Sequence, residues 1–153
     1  MSAMTADGIP EILTLAGRDL GVSQWRTVDQ ETIDAFADVS GDHQWIHSDV
    51  GRAAAGPFGR TIAHGYMTLS RGIPMFAELL TVTGVGMALN YGLNKVRFPS
   101  PVPVGSRVRL QAQIVGVEPV AADGIEMTRA FTFEIEGVAK PACVAESLTR
   151  FYP

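Results

Sequence analysis

Apolar and polar positions follow one rhythm in the second half of the chain and another in the first. Val108, Leu110, Ala112, Ile114 and Gly116 alternate with Arg107, Arg109, Gln111, Gln113 and Val115. A period of two puts one set against a covered sheet face, so residues 107–116 are predicted to form a half-buried strand. The same rhythm returns in Ile125, Met127, Arg129, Phe131, Phe133 and Ile135, with Thr128, Thr132 and Glu134 between them. Asp123-Gly124 is expected to turn these two runs into a hairpin, and residues 140–151 read as another strand. Upstream, residues 87–93 and 95–98 read as strand segments before a proline-rich turn over 99–103.

The first half carries helical spacing. Asp29 is placed to cap a segment in which Ile33, Phe36, Ala37 and Ser40 share one face, and Gly41 supplies the left-handed residue that stops it. Residues 66–80 are apolar nearly all round, which predicts a long helix enclosed by protein. Pro74 lies inside it and should remove the bond to the Ser70 carbonyl and bend the axis. A short helix over 9–16 ending near Gly17 and a short strand over 24–28 are expected nearer the start. One enclosed helix followed by four or five hairpin-linked strands predicts an α+β architecture, an antiparallel sheet curled about that helix, with residues 1–153 forming one domain.

Composition narrows the function. Hydrophobic residues make up 46% and charged residues 18%, with a net charge of −4, the profile of a globular core without the basic excess of a nucleic-acid footprint. Cys143 is the sole cysteine, so neither an internal disulfide nor a cysteine zinc site is expected, and a reducing compartment is implied. Residues 1–8 lack the basic and apolar regions of a secretory signal, and Arg71, Pro74 and Glu78 interrupt the longest apolar run. A cytoplasmic protein with no membrane span is therefore expected.

The chemistry concentrates in residues 40–72, which hold all three histidines and six of the sixteen glycines. Asp42 follows the Gly41 stop and His47 lies five positions on. On a continued helix their side chains would diverge by about 140°, whereas a loop after the stop can fold both into one space. Carboxylate and imidazole are the side chains most used to move protons near neutral pH. Farther on, His64-Gly65 opens the long apolar helix, whose first turn offers unpaired N–H groups and a positive dipole end to a carbonyl oxygen gathering charge. Gly65 would let a ligand approach that backbone closely. His64 is expected to support the helix start more than to touch substrate, and His43 to face solvent.

Gly41-Asp42-x4-His47, Ala53-Ala54-Ala55, Ile62-Ala63-His64-Gly65-Tyr66-Met67 and Asn94-Lys95-Val96-Arg97-Phe98-Pro99-x-Pro101-Val102 together resemble the MaoC-type (R)-specific enoyl-CoA hydratases of the hotdog fold, in particular the single-hotdog 3-hydroxyacyl-thioester dehydratases of mycobacteria. The blocks occur in order through nearly the whole chain. The resemblance implies a hydro-lyase that reversibly adds water to trans-2-enoyl thioesters in fatty-acid metabolism, with Asp42 and His47 as catalytic pair and the Gly65 N–H polarising the thioester carbonyl. Asn94 reads equally as a turn residue or as a polar group at the substrate tunnel, and the resemblance leans toward the second. It also implies an acyl-CoA or acyl carrier protein thioester as substrate, with no cofactor and no metal, and because a single hotdog leaves one sheet face to be covered, a homodimer is expected. Gln44-Trp45 departs from the Asn-Pro commoner in this loop; the Gln44 amide can still donate and accept. A hotdog thioesterase and a non-catalytic acyl-thioester-binding subunit are the rival readings.

Other chemistries find less support. Asp42, His43, His47 and His64 could be read as metal ligands, but their irregular spacing lacks the repeated His or Cys pattern of zinc sites. Cys143, Ser40 and Ser70 show no activating partner for a nucleophile. Lys95, Arg97, Arg107 and Arg109 fit the phosphates of coenzyme A and the solvated face of a strand equally well.

Overall fold

A computed structural model describes residues 3–153. Its elements run β1 (Met4–Asp7), α1 (Gly8–Ile12), a 3₁₀ turn (Leu13–Leu15), β2 (Asp19–Val22), β3 (Arg26–Thr27), α2 (Gln30–Ser40), α3 (Trp45–Ser48), α4 (Val50–Ala54), α5 (Gly65–Ser70), α6 (Gly72–Ala77), β4 (Leu80–Thr83), β5 (Met87–Arg97), β6 (Arg107–Val120), β7 (Gly124–Ile135) and β8 (Cys143–Tyr152).

The predicted alternations are strands. β6 pairs antiparallel with β7 from Val108↔Ile135 to Val120↔Gly124, and β7 with β8 from Ile125↔Phe151 to Phe133↔Cys143. The sheet order is β2-β6-β7-β8-β5, with β3 also on β6. The hairpin turn falls one step earlier than Asp123-Gly124 suggests: Ala122 and Asp123 take the left-handed conformation at φ 60° and 55°. Residues 87–97 form one strand rather than two segments, with irregular pairing at Asn90/Gly92 and Leu93/Lys95. The expected strand over 24–28 shrinks to the two residues of β3. The pattern also gave no sign of β1 and β4, which form a separate parallel pair, Met4↔Leu80 to Asp7↔Thr83.

The sheet's inner face carries the core. Leu110, Ile114, Met127 and Phe133 are fully buried there, against Met67, Met75 and Phe76 from the helices and Leu80 from β4. The long helix expected over 66–80 is two short helices meeting at Arg71. Pro74 has no N–H for the Ser70 carbonyl, and the ladder resumes only with Met75 N–H to Arg71 O at 3.2 Å. Nor is it enclosed all round. Tyr66 is 73% exposed and Ile73 46%, so within one chain only one side of the helix pair is covered. That side is close: a methyl on Gly72 would lie 2.9 Å from Cζ of Phe133.

Candidate active site

α2 sets the anchor. Asp29 Oδ1 accepts from the Thr32 N–H at 2.8 Å, Ile33 and Ala37 are buried, and Gly41 ends the helix at φ 76°. Asp42 then divides its carboxylate. Oδ1 accepts the Gln44 backbone N–H at 3.3 Å, while Oδ2 lies 4.0 Å from Nε2 of His47. His47 belongs to the single turn of α3 rather than to a plain loop; the break at residues 41–44 brings the two side chains together.

His47 is 6% exposed and its Nδ1–H donates to the Ile62 carbonyl at 2.6 Å. That bond assigns the tautomer, leaving Nε2 as the acceptor that faces Asp42. Burial holds the imidazole below its ordinary value of 6.5, and His64 adds to this; the Ile62 carbonyl and Asp42 oppose it. His47 is therefore a neutral base at neutral pH. Gln30 braces the same turn: Nε2 donates to the His47 carbonyl at 2.8 Å and Oε1 accepts from Thr61 Oγ at 2.5 Å. These bonds cross 17 and 31 residues, a separation that leaves no local signature in the sequence.

His64 supports rather than faces the site. Its Nε2–H donates to the Asp42 carbonyl at 2.9 Å, and its ring stacks on His47 with centroids 3.8 Å apart and planes 22° from parallel. Donor atoms of Asp42, His47 and His64 lie within 4.8 Å of one another. A cation must lie near the plane of each imidazole it binds, at about 2.0–2.1 Å for zinc. Two near-parallel rings this close cannot both aim lone pairs at one point, so the trio fits proton transfer better than metal binding.

His47, Ile62, Ala63, Gly65, Thr68 and Phe98 line a cavity of about 290 Å³. Gly65 begins α5, as expected, yet the space before it is occupied: a methyl there would meet the Phe98 ring at 3.0 Å. Phe98 is thus a wall of the site that the motif contained without its role being visible. Two expected residues stand elsewhere. Asn94 lies on β5 and donates to Glu146 Oε1 at 2.5 Å on the sheet surface, outside this cavity. Gln44 is exposed and contributes its backbone to the turn, not its amide to the cavity wall. His43 is on the surface, 3.7 Å from Asp38. Arg107 and Arg109 pair with Glu136 and Glu134 at 2.8 and 2.6 Å, which fits a solvated strand face. No helix among the described residues is long and apolar enough to cross a membrane.

Comparison with known proteins places this geometry among relatives. A Mycobacterium tuberculosis protein named 3-hydroxyacyl-thioester dehydratase Z is 54% identical over 147 residues, covering 96% of this chain and 97% of its own. Nodulation protein N of Rhizobium leguminosarum bv. viciae is 44% identical over 92% of this chain and 89% of its own. Among solved structures, an (R)-hydratase from A. caviae involved in PHA biosynthesis superposes with a TM-score of 0.73 at 22% identity, over 90% of this chain and 96% of that one. The α+β layout is thus the hotdog fold. With the MaoC-like domain model matching residues 11–133, the chain belongs to the MaoC-like family.

Proposed function

We propose that this protein is an (R)-specific enoyl-thioester hydratase, or 3-hydroxyacyl-thioester dehydratase, that works through Asp42 and His47. The observation that carries the site assignment is the 2.6 Å bond from His47 Nδ1 to Ile62, which leaves the Nε2 lone pair 4.0 Å from Asp42 Oδ2. A water oxygen about 2.8 Å from each atom would subtend about 90° between them, close to the angle of its own two O–H bonds. One water can therefore donate to both groups at once. His47 Nε2 takes one proton as the oxygen attacks C3 of the enoyl group. Electron density moves to the thioester oxygen, where the first N–H groups of α5, Gly65 foremost, oppose the charge. A proton delivered from the pair to C2 completes the 3-hydroxyacyl thioester, and dehydration runs the same steps backwards.

The relative named 3-hydroxyacyl-thioester dehydratase Z, similar over nearly the whole of both chains, supports the reaction class. Crotonyl-CoA hydration followed by loss of enoyl absorbance tests the residues. Asp42→Asn and His47→Ala are each expected to lose about 10²–10⁴-fold in kcat, the usual worth of general acid–base catalysis. Hydration by both variants at the unchanged rate would overturn the assignment, and release of thiol from saturated acyl-CoA would point to a thioesterase instead. We further propose a homodimer, formed where the helix pair and β5 leave apolar side chains uncovered.

A further inference from the structure

On the inner face of β7, between Met127 and Phe131, stands Arg129, 3% exposed. Its guanidinium has five N–H donors. Among the described residues one bond is seen, from Nη2 to Ser147 Oγ at 2.7 Å, while Nε is buried without a partner there. The Phe76 and Phe131 rings lie 4.6 and 4.9 Å away, and their faces support the charge without supplying an anion. No carboxylate pairs with it among the described residues. Burial alone pushes the guanidinium down to about 10, so it stays charged at neutral pH.

Arg129 borders a cavity of about 240 Å³ beside α6. Ile73, Phe76, Leu80 and Phe151 give it apolar walls, and Asn90 and Thr149 are polar. The Thr149 hydroxyl is buried and also lacks a partner among the described residues. This cavity shares no lining residue with the one at His47. A core that needed only volume here would be served by Met or Leu. An unpaired buried cation is costly, and a second orphan donor beside it marks a place where an acceptor is missing. The guanidinium fork matches a carboxylate, and apolar walls suit a hydrocarbon chain more than a phosphate.

We propose that this cavity binds a short aliphatic carboxylate, with its oxygens on Arg129 and Thr149 and its chain against Phe76, Leu80 and Phe151. The site uses none of the catalytic residues, so it stands or falls apart from the hydratase reading.

Isothermal titration of the intact protein with hexanoate, hexan-1-ol and inorganic phosphate tests it. Hexanoate is expected to bind, and the alcohol to bind about ten- to hundredfold more weakly, the factor for losing a hydrogen bond to a charged group. Arg129→Met should abolish hexanoate binding. Thr149→Val, which keeps the charge, should weaken it and decides the matter if circular dichroism shows Arg129→Met unfolded. No heat from hexanoate at millimolar concentrations, equal binding of acid and alcohol, tighter binding of phosphate, or unchanged affinity in the decisive variant would overturn the proposal. Competition by hexanoate against an enoyl-CoA bearing a terminal carboxylate, but not against crotonyl-CoA, would identify the occupant as the substrate's own end. Hexanoate binding that leaves the kinetics of both substrates unchanged would identify a separate ligand; either result supports the site.

Discussion

The tautomer of His47 is set by one bond: the Ile62 carbonyl fixes Nδ1–H and leaves Nε2 as the acceptor. Because burial lowers its pKa, the base form dominates at neutral pH, and protonation removes it only as pH falls through a value under 6.5. kcat/KM for crotonyl-CoA, measured from about pH 4.5 to 8, should therefore be full above the ordinary imidazole range and fall on an acid limb centred below it. A limb centred above 6.5 would contradict the burial argument. The stability sign is the same. The unfolded chain takes up this proton at a higher pH than the native one, so the contribution is complete above 6.5 and is lost as pH drops through the native value. Gln30 acts through position alone. Gln30→Ala should cost about 1 kcal/mol of stability for its lost bonds and lower kcat more than it changes KM, since it touches the His47 backbone and not the cavity; an unchanged kcat would remove it from the site's support. At this scale the proximity of Asp42 to His47 and the position of Gly65 at a helix start were legible in the sequence, because a glycine stop and a helix start are local events. Asn94 and Gln44 lie outside the cavity at His47 within one chain for the complementary reason. Where a strand residue or a loop amide points depends on register, and Glu146 claims the first while solvent claims the second.

Helices α5 and α6 show how two local rules shape one element. Pro74 interrupts the ladder at Arg71, and Gly72 then lets the chain descend onto Phe131 and Phe133. Both rings are buried and cannot retreat to solvent. Gly72→Ala gains up to about 1 kcal/mol in helix propensity, but overpacking costs about 1–3 kcal/mol. The net outcome expected is a loss of about 1–2 kcal/mol, read as a lower midpoint in urea at constant slope. A midpoint equal to or above that of the unchanged protein would show that the contact yields. Gly65→Ala is the informative contrast: its neighbour Phe98 is 40% exposed and has room to shift. The bend at Pro74 was legible because proline acts within one turn. Strands β6, β7 and β8 were legible because each alternates buried with less buried positions over four or more core residues, from Val108 to Ile114 in β6 and farther in the other two. β1 and β4 were not, since four residues each carry too little periodicity and their parallel pairing joins distant parts of the chain.

The expected enclosure of the helix fails within one chain, and that failure bears on assembly. Tyr66 and Ile73 face out from the helix pair, and Met87, Leu89, Tyr91 and Leu93 along β5 are each 46–56% exposed. Ile73 borders the same cavity as Ala88 and Asn90 of β5, so this strand and the helix pair lie side by side, although Met87 and Leu89 project from the other face of the strand. β5 is also the edge of its sheet, with its outer backbone groups available to another strand over eleven residues. A long, apolar edge without proline invites pairing. A two-fold axis beside it would let β5 pair with its own copy and cover the outward side of each helix pair, supplying from outside the enclosure that the sequence pattern demanded. Light scattering at micromolar concentration should then give about twice the 16.4 kDa of one chain. Leu93→Lys places a charge in the middle of the proposed contact and should release monomers that keep their sheet signature by circular dichroism. A monomeric unchanged protein, or a Leu93→Lys variant that remains fully dimeric, would place the interface elsewhere.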